Sequence, residues 1–193
     1  ADLGTGAVTD RAPAPDGRAL PPWIASPGVA WIALVLAAYG ALEYHYVFRM
    51  PFVADDYTIL DKVLRAPFAA LWTAENPLWS WYRPWSRELH FWTLARVFGP
   101  REVPFHLASA ILWLGVLAAY FALVRGVQGS RAAVVAVAGA TTMSAWGSAL
   151  SWAAGAQELW MLLFALLFLH ATARRRAIAA LLALAGALLS KET

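Results

Sequence analysis

The chain contains no cysteine. Disulfide staples, thiolate metal sites and a cysteine nucleophile are therefore absent from its chemistry. Charge is also scarce: 14% of its 193 residues are Asp, Glu, Lys or Arg, where soluble domains carry about 25%. Lysine occurs only at Lys62 and Lys191, so thirteen of the fifteen basic residues are arginine. The net charge of +3 is spread thinly, which excludes a nucleic-acid face. The one basic cluster, Arg174 to Arg176, borders an apolar run and reads as a topology signal. A secretory leader is not evident, because the basic residues near the start lie far from any short apolar core.

What remains is grease. Hydrophobic residues make up 61% of the chain, and eleven are tryptophan. The mean hydropathy is +0.55. Trp gathers where lipid meets water, so a membrane protein is expected. Residues 1–28, with "RAPAPDGRALPP", read as a disordered tail. Residues 29–46 match one bilayer crossing of roughly 20 residues. Residues 49–102 hold most of the charge, and 103–124 form a second crossing closed by Arg125. Residues 132–173 are too long for one span, since a single helix would reach about 60 Å against about 30 Å of hydrocarbon. A reversal is expected in "SWAAGAQE", 151–158. Residues 177–190 begin a fifth, short crossing. The architecture expected is an all-α polytopic protein with about five transmembrane helices and a large first outer loop.

Sidedness follows from the short links. Arg125, Arg131 and Arg174 to Arg176 sit in links without an acid, which marks the cytoplasmic side. Alternation then brings Asp55, Asp56, Glu158, Lys191 and Glu192 to the opposite face, although they come from three separate segments. The loop that carries the first two reads as two amphipathic helices lying on the membrane. One has Ile59, Leu60, Val63 and Leu64 on a single face. The other, "SRELHFWTLARVFG", has Ser86 as expected N-cap and Gly99 as stop. Between them Trp79, Trp81, Tyr82 and Trp85 surround Arg83. Gly139, Ser144, Gly147 and Ser148 read as close-packing positions between helices.

Four stretches in order carry a resemblance: "FVADDYTIL", "YRPWSRELHFWTLARVFGPREVPFHLASAILWL", "WAAGAQELWMLLFALLFLH" and "LLSKET". Together they resemble the first part of GT-C membrane glycosyltransferases, nearest to the transmembrane-and-tetratricopeptide-repeat mannosyltransferases and their bacterial relatives. Protein O-mannosyltransferases and the aminoarabinose transferase of lipid A are more distant. The likeness covers residues 30–193 and implies the N-terminal part of a longer enzyme in a bacterial inner membrane. Such an enzyme moves a sugar from a polyprenyl-phosphate donor to a protein or glycolipid acceptor at the periplasmic face. The resemblance implies that Asp55 sits at the reacting centre beside Asp56. It places Arg83, with Tyr82 and Lys191, near the lipid phosphate. Glu158, Glu192 and His106 take supporting positions. The family's arginine in the turn before the later acid is missing here, where the chain reads "GAQE".

The chemistry asks for such a set. An attacking hydroxyl gives its proton to a carboxylate. A departing phosphate needs cations aimed at its growing charge. Two neighbouring carboxylates, Asp55 and Asp56, also suit a divalent cation. Plainer readings stand beside these. Adjacent acids start many helices, Arg83 suits a snorkelling cation, Glu158 suits a helix N-terminus, and Glu88 and His90 suit the loop surface. A non-catalytic scaffold or transporter subunit is the competing function. Transporters tend to carry acids in mid-span, whereas here they gather at one face.

Overall fold

The third apolar segment is not one rod. In the computed structural model, which describes residues 27–72 and 82–191, it is two helices bent by 65°. These are α5 (Ser130–Thr141) and α6 (Ala145–Ser151). The stretch expected as the third crossing is thus bent, in the manner of a broken span or a re-entrant loop. Its break is the polar stretch Thr142 to Ser144, where hydroxyls compete for backbone bonds: Thr142 Oγ1 donates to Gly139 O at 2.9 Å.

The described residues are predominantly helical and contain no strand. α1 (Pro27–Tyr44) runs into a 3-10 turn, His45–Arg49. The segment expected as the outer loop follows, with α2 (Asp55–Arg65) and a 3-10 turn at Phe68–Trp72. A π-helical turn at Pro84–Leu89 then leads into α3 (His90–Phe98). α4 (Glu102–Gln128) is the long helix of the molecule. After α5 and α6 a 3-10 turn at Ala153–Gly155 reverses the chain into α7 (Ala156–Ala173), and α8 (Ala177–Leu188) closes the described part. Glu102–Gln128 and Ala153–Ala173 are long and apolar enough to cross a membrane, and the bent pair makes a third candidate. α8 has 12 residues, about 18 Å of helix, which is short of the hydrocarbon thickness.

Packing runs α5 on α4, α4 on α7, α7 on α8. α8 shows which solvent these helices meet. Ile178, Leu181, Leu182 and Leu188 point outward and are 60–77% exposed, while Ala180, Ala183, Gly186 and Ala187 are buried. Large apolar groups outside and small ones inside suit lipid and close helix contact. The tight glycines are Gly40, Gly155 and Gly186. A Cβ on Gly186 would come within 2.6 Å of the Phe164 ring, and one on Gly155 within 2.6 Å of Ala149 O. Gly139, expected as a packing position, has nothing within 4 Å of such a Cβ.

The helices of the segment expected as the outer loop also pack against the body of the protein. The apolar face of α2 (Ile59, Leu60, Val63) meets Phe91 and Ala95 of α3, Phe105 of α4 and Ala153–Ala154 in one core. Ser86 is not an N-cap. It lies inside the π turn, and its Oγ donates to Ser190 O at 2.6 Å. Trp85 Nε1 donates to Gly186 O at 3.1 Å and Ser190 Oγ at 3.2 Å. The π turn is therefore stapled to the end of α8. Gly99 does stop α3, at φ +76. Trp79 and Trp81 lie outside the described residues.

Candidate active site

Asp55 and Asp56 open α2, yet they face different surroundings. On a helix of 3.6 residues per turn, neighbours diverge by about 100°. Asp56 turns inward and is fully buried. Its Oδ2 accepts the Val53 N–H at 3.0 Å and its Oδ1 the Ala154 N–H at 2.8 Å. Burial pushes its pKa up, partly offset by the N–H groups of Val53, Ala154 and Ala153 and by the nearby His106. Asp56 does not line the cavity described next, so its geometry is that of a clamp rather than of a reacting acid. Asp55 turns to the cavity and is half-buried. The residue before it, Ala54, has φ 42 and ψ −104, a conformation that L-residues rarely adopt. Such local strain gathers at sites where a side chain must be aimed.

The cavity has a volume of about 180 Å3. Asp55 comes to it from α2, Arg83 from just before the π turn, Arg87 from within it, Glu158 from the first turn of α7 and Lys191 from beyond α8. Arg83 Nη1 donates to Gln157 Oε1 at 2.7 Å. Lys191 Nζ donates to Glu158 Oε1 as an ion pair. Among the described residues two acids and three cations thus share one polar pocket, whose remaining wall includes Ile59, Trp152, Ala154 and Gly155. The π turn has a direct part in this: Arg87 N–H and Glu88 N–H both donate to Arg83 O, at 3.3 and 3.4 Å. Arg83 and Arg87 then reach the same cavity. Single π turns often occur at functional sites.

No family model, no curated protein and no solved structure matches the chain. The site must be read from its own groups.

Other expected site residues fall elsewhere. Tyr82 Oη donates to Trp72 O at 2.8 Å and does not line the cavity. His106 is fully buried, with Nδ1 3.0 Å from Leu150 O and Nε2 3.1 Å from Met50 O. It ties the chain after α1 to the end of α6 behind the site. Glu192 lies outside the described residues. Asp55 and Asp56 do not converge as a chelating pair, because Asp56 turns inward to backbone N–H groups while Asp55 lines the cavity.

Sequence reading missed Arg87, Glu88 and Gln157. Arg87 and Glu88 are 1% and 2% exposed, not surface residues. Glu88 Oε1 accepts from Arg87 Nε at 2.9 Å, Arg87 Nη2 at 2.6 Å and Lys62 Nζ at 3.2 Å. Shared charge of this kind is what lets an arginine stay buried at a cavity wall. The signal was present in "SRELH": an acid directly after an arginine on a helix whose other side is apolar. His90, also expected at the surface, accepts the Trp160 Nε1–H at 3.3 Å on its Nδ1 and is brought down to about pKa 4 by burial. Its Nε2 has no partner.

A larger groove adjoins the polar cavity and shares Trp152, Gly155 and Glu158 with it. Its volume is about 520 Å3, and its wall runs over Met143, Trp146 and Leu162, along the bend between α5 and α6. A charged pocket thus opens beside an apolar trough.

Proposed function

We propose that this chain is the N-terminal part of an inverting GT-C glycosyltransferase. It moves a sugar from a polyprenyl-phosphate donor to a hydroxyl of a protein or glycolipid acceptor. In this reading five crossings thread a bacterial inner membrane, the third of them broken, and the cavity faces the periplasm. The observation that carries it is the meeting of Asp55, Arg83, Glu158 and Lys191 at one small cavity beside an apolar groove. An amphiphile with a phosphate head and a long apolar tail matches that pairing of spaces.

The proposed step needs one base and one cationic cradle. The acceptor hydroxyl gives its proton to Asp55 and its oxygen attacks the anomeric carbon. The bond from that carbon to the phosphate oxygen breaks on the opposite side, and the phosphate leaves with the bonding pair. Arg83 and Lys191 stabilise the charge that grows there. Gln157 orients Arg83, and Glu158 orients Lys191. A single displacement inverts the anomeric centre. Among the described residues no hydrogen bond or ion pair engages the Asp55 carboxylate in the cavity, which suits a base awaiting its substrate.

The scaffold reading rests on the same internal pairs, Arg83–Gln157 and Lys191–Glu158, taken as polar glue. An assay separates the two. Full-length protein reconstituted with a polyprenyl-phosphate sugar transfers it, and Asp55→Asn lowers transfer by about 10²–10⁴-fold with an unchanged melting temperature. Undiminished transfer by Asp55→Asn removes Asp55 as the base, and no transfer by the wild type returns the scaffold reading.

A further inference from the structure

A third cavity has no part in the acidic site. It lies between α1, α4 and α5 and measures about 460 Å3. Ile32, Leu36, Leu117, Phe121 and Val137 make its wall apolar. The α4 residues that line it begin at Trp113 and end at Arg125. Those two positions are about 18 Å apart along the helix. One leaflet of hydrocarbon, half of the bilayer core, is about 15 Å deep. Ile32 and Leu114 are 39% and 52% exposed, so the groove is open on its side.

We infer that this groove seats one acyl chain of an anionic phospholipid from the leaflet on the Arg125 side, with the lipid phosphate at the Arg125 guanidinium. Length and charge both select this occupant. The groove is one leaflet deep, and among the described residues its single charged lining residue stands at its end. Guanidinium matches phosphate oxygens in geometry and charge. The start of α5 lies at the same end and carries Arg131. Arg131 and the positive end of that helix disfavour a lipid headgroup with its own ammonium, and favour one whose only charge is the phosphate. Basic pockets between membrane helices hold anionic headgroups by this combination. The site does not depend on the glycosyltransferase reading, since none of its residues lines the polar cavity.

The test is retention of lipid by the full-length protein. It is reconstituted in vesicles of equal phosphatidylglycerol and phosphatidylcholine, extracted in mild detergent, and its bound lipid is counted by mass spectrometry. The wild type retains phosphatidylglycerol in preference to phosphatidylcholine. Arg125→Gln lowers that preference about fivefold, the worth of one basic residue at a membrane surface. Ala118→Phe fills the groove at an exposed lining position and removes the retained lipid while leaving Arg125 in place. Arg101→Gln, at the opposite end of α4, matches the wild type. Equal retention of the two lipids, an Arg125→Gln result equal to that of Arg101→Gln, or full retention by a folded Ala118→Phe overturns the inference.

Discussion

Asp56 Oδ1 accepts the Ala154 N–H at 2.8 Å, joining the first turn of α2 to the turn ahead of α7 across 98 positions of chain. The same carboxylate holds Val53 N–H at 3.0 Å. Asp56→Ala leaves two backbone donors without these acceptors and costs on the order of 3 kcal/mol. Asp55→Asn, next in the chain, changes stability by less than about 0.5 kcal/mol. Thermal unfolding of the two variants in detergent checks the contrast, and equal melting points would remove the clamp.

Arg83 reaches Gln157 Oε1 through Nη1 at 2.7 Å. Arg83→Lys keeps the charge but not the planar fork. On the proposed function its transfer rate falls by about 10²–10³-fold, the usual cost of one lost donor to a developing anion. Single-turnover kinetics at saturating donor measure this directly. A rate within threefold of wild type, itself roughly 0.7 kcal/mol, would show that Arg83 does not act on the leaving group.

Gly155 has an ordinary φ of −61, so its need is space rather than backbone freedom. A Cβ there would lie 2.6 Å from Ala149 O and 3.0 Å from Ala149 C. Gly155→Ala forces backbone apart at the turn that carries Gln157 and Glu158. It costs about 1–3 kcal/mol, the range for overpacked sites. The midpoint of chemical unfolding reads the cost. A variant as stable as wild type would show that the turn relaxes freely.

His90 makes stability depend on pH. Burial holds its folded pKa near 4, below the ordinary 6.5. The folded state therefore binds fewer protons than the unfolded state between those values. Stability from this group is full above 6.5 and is lost as pH falls towards 4. The loss is on the order of 3 kcal/mol. His90→Asn removes that slope, and melting temperatures of both proteins between pH 4 and 7 check it. A parallel pair of curves would contradict the assignment.

Much of this layout was legible from apolar runs and charged links. The α4 crossing and the reversal at 153–155 stand where length and hydropathy put them. Asp55, Glu158 and Lys191 were grouped by alternation of sides and Arg83 was added by the family resemblance, and all four line one cavity. The rest depended on detail that a run of residue types does not carry. Asp55 and Asp56 are chemically alike, and only the phase of α2 separates one facing a cavity from one holding amides. The break in the third segment is hidden because Thr142, Met143 and Ser144 do not interrupt an apolar average. Glu88 was read as a surface group because a partner that supports its burial, Lys62, lies 26 positions away. The outer helices looked lipid-facing because their apolar stripes are just as suited to one another.

Trp85 and Ser86 fasten the π turn to Gly186 and Ser190. Lys191 is the next residue in the chain, and Arg83 lies just before the fastened turn. The two cations thus flank one hydrogen-bonded staple, while Asp55 stands on a separate one, held by Asp56. The spacing of the positive charges is set by the first staple, and the second sets where the lone carboxylate stands against them.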